Sequence, residues 1–177
     1  LGLDKLIGNK RSLAGSLGLI PVAPVSADEL FSEVFGDGAP EGAPTKATRI
    51  SIDEALKLSW ELFEALIAEI YGREANSVIL TPKGRDGGAD VIVREFGPES
   101  KNILVQCKMT GRSILDSDHA VREVIGAKPG HARSLNLPYL DGAVHTTAKT
   151  FSKRTKRAAN PEGIELHGSR WLKDALA

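Results

Sequence analysis

Apolar and polar positions follow two different periods along this chain, and the switches between them mark its elements. From Ser51 onward Leu56, Trp60, Phe63, Ile67 and Ile70 recur at helical spacing. Ser51 and Glu54 form a capping-box pair ahead of them and Gly72 is a C-terminal stop, so the pattern predicts one helix from Ser51 to about Tyr71. The period then shortens. Ser77 to Thr81, Asp90 to Val93 and Ile103 to Lys108 read as strands, with turn chemistry at Gly97-Pro98-Glu99-Ser100 between the last two. A helical period returns from Asp116 to about Ala127, with Val121, Val124 and Ile125 inward, Arg122 and Glu123 outward, and Lys128-Pro129-Gly130 as its end. Leu140 to Thr147 is a strand running into a polar turn, Phe151 to Ala159 a helix, and Ile164 to His167 a last strand. Ser169 is placed to cap a final helix through Leu176. Trp60 and Trp171 fall in helical apolar patterns and are expected in the core. The order α-β-β-β-α-β-α-β-α predicts an α/β fold: a central mixed sheet of about five strands flanked by helices on both faces.

The first part of the chain is different. Residues 1–25 hold no sustained period; Ser26 to Glu29 fits a capping box before a short helix, Leu30 to Phe35, and Gly36 to Pro44 reads as a linker. The division expected is an N-terminal extension with a Gly/Pro-rich linker over 1–46 and the folded domain over 47–177. The extension is too short to fold alone, and either packs on that domain or belongs to another. The sole methionine is Met109, so the expectation is a piece of a longer protein.

Composition narrows the class without naming a function. At 177 residues, with 41% hydrophobic and 26% charged, the chain resembles an ordinary globular protein. Lys+Arg and Asp+Glu both number 23, so a nucleic-acid partner is to be sought in the placement of charge, not its sum. One cysteine excludes an internal disulfide and a Cys-based zinc site, and fits a reducing compartment. No apolar run approaches the ~20 residues of a membrane span, and the opening residues are not a signal peptide. A cytoplasmic protein without membrane contact is expected. There is no internal repeat, P-loop, G-x-S-x-G or RNA-binding signature.

The chemistry concentrates between Gly84 and Lys108. Side chains alternate across a strand, so Gln106 and Lys108 share a face with Leu104, while Ile103, Val105 and Cys107 share the other. A turn near Pro98 to Ser100 brings Asp90 opposite Gln106 to Lys108, within about two residues of register. An acid, an amide oxygen and an ammonium then meet at the end of a sheet. That set suits metal-assisted phosphodiester hydrolysis. Asp90 supplies a charged oxygen ligand, the Gln106 side chain and the Cys107 carbonyl supply neutral ones, and Lys108 orients water or stabilises transition-state charge. A plain hairpin with polar residues on its wet face fits the same spacing. Asp86, a second acid, sits in the loop rather than on the strand.

These residues resemble the Mrr-like branch of the PD-(D/E)xK nuclease superfamily. The likeness lies in G-R-D-G-G-A-D-V-I-V and I-L-V-Q-C-K, and extends to W-E-L-F-E-A-L-I-A-E-I-Y-G, G-A-V-H-T-T-A-K-T-F-S and I-E-L-H-G-S-R-W-L, over roughly Ser51 to Ala177. Gln106 departs from the commonest superfamily pattern, and a neutral ligand binds a cation more weakly. The resemblance implies a restriction-endonuclease-like core and a DNA endonuclease that uses Mg²⁺, with Mn²⁺ as substitute. It implies action in restriction or defence against foreign DNA, a homodimer or higher homo-oligomer, and a specificity or sensor domain outside this chain. It also makes Glu64, at the edge of the first helix's apolar stripe, a candidate to support the metal through water. Two other readings stay open: a structure-specific, junction-resolving nuclease, and an inactive DNA-binding or assembly module on the same fold.

Candidate DNA contacts follow from charge. Lys149, Lys153, Arg154, Lys156 and Arg157 fall within nine residues that contain no acid, and form either a phosphate-binding surface or a solvated face. Lys83 and Arg85 lie in a glycine loop that allows close backbone approach to a phosphate, or that simply turns. His145 and His167 show no metal-ligand spacing and read as structural, although His145 ends a strand.

Overall fold

The computed structural model describes residues 50–81 and 87–177. The extension 1–46, with its expected helix and linker, and the loop residues Lys83, Arg85 and Asp86 lie outside the described residues.

Two short helices replace the single one predicted first. Helix α1 covers Ile52–Ala55 and α2 covers Trp60–Gly72. The Ser51–Glu54 capping box forms, with Ser51 N–H donating to the Glu54 carboxylate at 2.8 Å and Glu54 N–H donating to Ser51 Oγ at 3.3 Å. Ser59 then caps a second helix, its hydroxyl accepting from Leu62 N–H. A serine that can bond to the backbone in non-helical form favours a new start over continuation. The break resets the helical phase. Phe63, Ile67 and Ile70 remain buried, but Trp60, expected in the core, is 45% exposed in the first turn of α2.

Strands β1 (Ala75–Leu80), β2 (Val91–Phe96), β3 (Lys101–Lys108), β5 (Asp141–Thr146) and β7 (Ile164–His167) make one sheet in the order β1-β2-β3-β5-β7. β1, β2 and β3 are antiparallel neighbours, whereas β5 runs parallel to β3 and β7 parallel to β5. The sheet is therefore mixed, as expected. Two-residue strands β4 (Ile114–Leu115) and β6 (Thr150–Phe151), too short to show a period, pair in a second small parallel sheet.

Alternation along the strands builds two cores. On one face Val91, Val93, Ile103, Val105 and Cys107 pack against α2 and against Leu172 of α5 (Ser169–Ala175). On the other, Ile92, Leu104 and Val144 pack against α3 (His119–Ser134) and Ala159 of α4 (Lys153–Ala159). Each fully buried Val, Leu, Ile or Phe contributes about 1.5–3 kcal/mol. This burial also explains why α3 runs past its predicted end. Pro129 lies inside the helix, at a cost of ~3 kcal/mol, but the turns around it bury Ala127 and Ala132 against the sheet. Close approach of α3 to β5 requires Gly142, where a Cβ would lie 2.6 Å from Val124 and 2.5 Å from Ile164. The final helix is capped by Gly168, not Ser169, which is its first residue and whose N–H donates to the Ala148 carbonyl.

Candidate active site

β2 and β3 pair with Val91 opposite Val105, and Asp90 N–H donates to the Val105 carbonyl at 2.9 Å. Asp90 therefore stands at the mouth of the hairpin, beside Gln106. Its Oδ2 accepts from the Gln106 side-chain amide and from Cys107 N–H, the latter at 2.6 Å. Both side chains are buried, Asp90 to 9% exposure and Gln106 to 5%. The backbone of β3 and its side chain two residues short of the end thus fix the carboxylate from two directions. Both of these donors are uncharged amides.

Cys107 locates the remaining groups. Its buried thiol is pushed well above the ordinary range, first by desolvation, then by the negative charges of Asp90 and Glu64, against the opposing pull of Lys108. Asp90, Lys108 and Glu64, the last on α2, are therefore all near enough to act on its charge. Lys108 lies on the opposite face. Its Nζ is 2.9 Å from Oε2 of Glu123 on α3, and His119 Nδ1 is 3.1 Å from the same oxygen. The Lys108 contact is an ion pair, and neither contact has the directionality of a hydrogen bond.

Glu123 is the acid that sequence reasoning turned outward. It is only partly exposed and faces the end of β3. The available signal was its i,i+4 spacing to Ala127, a buried position, which puts Glu123 at the margin of the inward face. The turn at Gly88, two residues before Asp90, rests on the same turn of α3. Gly88 adopts φ +89°, and a Cβ there would meet the Glu123 carbonyl oxygen at 2.9 Å.

Lys149, Lys153, Arg154, Lys156 and Arg157 are all exposed. Arg154 is tied to Asp118, whose carboxylate also binds Arg122 at 2.6 Å; that bond to Arg122 is the main reason its carboxyl lies below the usual range. Between α4 and the small sheet lies a cleft of about 640 Å³, where Arg112 and Lys153 flank Ile114 and Phe151. Arg112 adds a cation that sequence reasoning passed over.

His145 is structural in its surroundings. It is 1% exposed, its Nε2 is 2.9 Å from the Tyr71 hydroxyl, and its ring stacks on His167 at 4.6 Å and meets Trp171 edge-on at 4.4 Å. Burial, with His167 second, holds its pKa well below the ordinary 6.5.

Among the described residues, no three His, Cys, Asp or Glu side chains converge as a metal cluster. Oxygen donors for a hard cation would instead be mixed: the Asp90 carboxylate, the adjacent Gln106 amide and the Cys107 carbonyl. With the Gln106 amide turned to present its oxygen, such a set would suit magnesium, which takes few protein oxygens and keeps several waters.

Residues 55–175 match the Mrr catalytic family, described as restriction endonuclease. The chain belongs to that family. No curated protein and no solved structure gives a significant match. Membership makes this an Mrr-like, restriction-endonuclease-type nuclease domain, with DNA as the substrate class. Its five-stranded mixed sheet between helices is the restriction-endonuclease-like core. Among the described residues no helix of this Mrr-type domain is long and apolar enough to cross a membrane.

Proposed function

We propose that residues 47–177 form a divalent-metal-dependent DNA endonuclease that acts in restriction or defence against foreign DNA, with residues 1–46 as an extension. The observation that carries this is the buried Asp90 carboxylate, bonded to Gln106 and Cys107 at the end of β3, two residues from Lys108. Asp90 is the principal ligand, Gln106 and the Cys107 carbonyl are neutral ligands, and Glu64 acts through water. A bound Mg²⁺ or Mn²⁺ would polarise the phosphodiester and lower the pKa of its water. Lys108 holds positive charge where the phosphorane-like transition state gains negative charge. The chain keeps bulk water away by burying Asp90 and Gln106. Lys149, Lys153, Arg154, Lys156 and Arg157, with Lys83 and Arg85, hold the phosphate backbone. Cutting both strands of a duplex needs two sites, so a homodimer or larger homo-oligomer in the cytoplasm is part of the proposal, with target choice supplied by another domain.

One observation favours a second reading, a DNA-binding or assembly module without chemistry. The Gln106 side-chain N–H donates to the Asp90 carboxylate, an interaction that satisfies that oxygen without a cation. One experiment separates the two. Plasmid, linear, branched and single-stranded DNA are incubated with Mg²⁺ or Mn²⁺. Cleavage should require the metal and fall ~100-fold or more in Asp90→Ala and Lys108→Ala with far-UV circular dichroism unchanged. Cleavage confined to branched DNA would mark a junction-resolving enzyme. Binding without cleavage of any substrate would establish the inactive module, and full activity in either variant would move the site elsewhere.

A further inference from the structure

We propose that Glu123 is a positioning residue for the Lys108 ammonium and for the Gly88 turn that leads to Asp90; this rests on the nuclease reading above. A lysine carries its charge on a flexible four-carbon stem, so an unanchored ammonium samples many positions. Here Glu123 Oε2 holds Nζ at 2.9 Å, and His119, one turn earlier on α3, braces that oxygen at 3.1 Å. The helix itself is fixed. Val121 and Val124, on either side of Glu123, are fully buried against the sheet, and Asp118 joins the start of α3 to Arg154 of α4. The Glu123 backbone serves the other half of the site, because its carbonyl oxygen lies against Gly88, two residues before Asp90. One turn of α3 therefore sets both the acid, just before β2, and the ammonium, at the end of β3.

A group that must meet a developing charge loses its effect when it wanders by an ångström, at a cost of ~100-fold in rate. Glu123→Gln keeps the size of the side chain and removes its charge; Glu123→Asp keeps the charge and shortens the reach. On whichever DNA the wild type cleaves, Glu123→Gln should lower kcat by ~10–100-fold while KM and DNA affinity stay within about twofold, and Glu123→Asp should fall between. In a Lys108→Ala background Glu123→Gln should add no further loss, since the group it positions is gone. A readout independent of cleavage is the ¹⁵N ammonium resonance of Lys108. It should be sharp in the wild type and broadened in Glu123→Gln. An unchanged or raised kcat in Glu123→Gln overturns the proposal, and a raised one would show instead a clasp that restrains Lys108. An ammonium signal indifferent to Glu123 also overturns it. A wild type that cleaves no DNA fails the nuclease reading and takes the positioning role of Glu123 with it. An active wild type with an indifferent Glu123 fails this inference alone.

Discussion

Replacing Gln106 tests whether the amide is part of the site or only part of the sheet. In the folded chain its side-chain amide is one of two described donors to Asp90 Oδ2, the other being Cys107 N–H. Gln106→Leu keeps the bulk and deletes the donor. Asp90 is 9% exposed, so little water can take the place of that donor. A hydrogen bond to a charged group contributes about 1.5–3 kcal/mol, and Cys107 N–H still donates to Asp90 in the variant, so the loss is that of one bond. At about 3–5 °C per kcal/mol for a domain of this size, Tm in EDTA at pH 7 should fall by roughly 5–15 °C. Gln106→Glu does something else. It sets a second carboxylate beside the first, so it too should melt lower in EDTA, but each Mg²⁺ added should restore more stability than in the wild type. At 100 times Kd the restoration is about 2.7 kcal/mol. Calorimetry of the three proteins across a Mg²⁺ titration, with cleavage measured in parallel, reads both effects. Cleavage by the Glu variant should saturate at lower Mg²⁺, and the Leu variant should lose most activity. A Leu variant that melts with the wild type would show that the amide does not hold Asp90. A Glu variant whose Tm ignores Mg²⁺ would show that residues 90 and 106 do not share a cation.

Two further outcomes are expected. If Lys153, Arg154, Lys156 and Arg157 bind phosphates, replacing them should flatten the salt dependence of duplex binding by about 0.9 in log–log slope for each phosphate no longer neutralised, and an unchanged slope would return them to a solvated face. His145 is held neutral by burial, so its pKa in the fold lies below its unfolded value of 6.5. His167, against Glu165, is depressed the same way, again chiefly by burial. The unfolded chain therefore binds more protons below pH 6.5. Stability should be full above that pH and fall as pH drops through and below it. Thermal melts from pH 8 to 5 should show this in the wild type and less of it in His145→Gln; equal pH profiles would refute it.

The sheet was legible because its strands announce themselves twice, by period and by punctuation. Asp90 and the run Ile103 to Lys108 flank a Gly-Pro turn, and two-residue alternation then fixes which side chains share a face. Helix bounds were legible only where local signals were unopposed. Ser51 and Glu54 formed their capping box, yet Ser59, an equally good cap eight residues later, restarted the helix and left Trp60 half in water. Pro129 looked like a stop because its local cost is visible in sequence, whereas the burial of Ala127 and Ala132 that outweighs it depends on β5 lying underneath.

Site residues divide the same way. Gln106 and Lys108 sit on β3 and Asp90 immediately before β2, where register follows from turn and pattern, so their neighbourhood could be worked out before any fold was known. Glu123 comes from a helix whose rotation about its own axis is set by packing on the sheet. Its sequence neighbours, Arg122 and Val124, are exposed and fully buried, which brackets it without deciding its side. The decision comes from charge. Lys108 ends β3 pointing at α3, and an ammonium there, half shielded from water, draws the one carboxylate that the second turn of the helix offers. Long-range ion pairing is the level at which a single sequence is least informative, since either partner alone reads as an ordinary surface charge. What turns this pair into more than that is its place: Nζ two residues beyond Gln106, and the Glu123 carbonyl against the Gly88 turn that leads to Asp90.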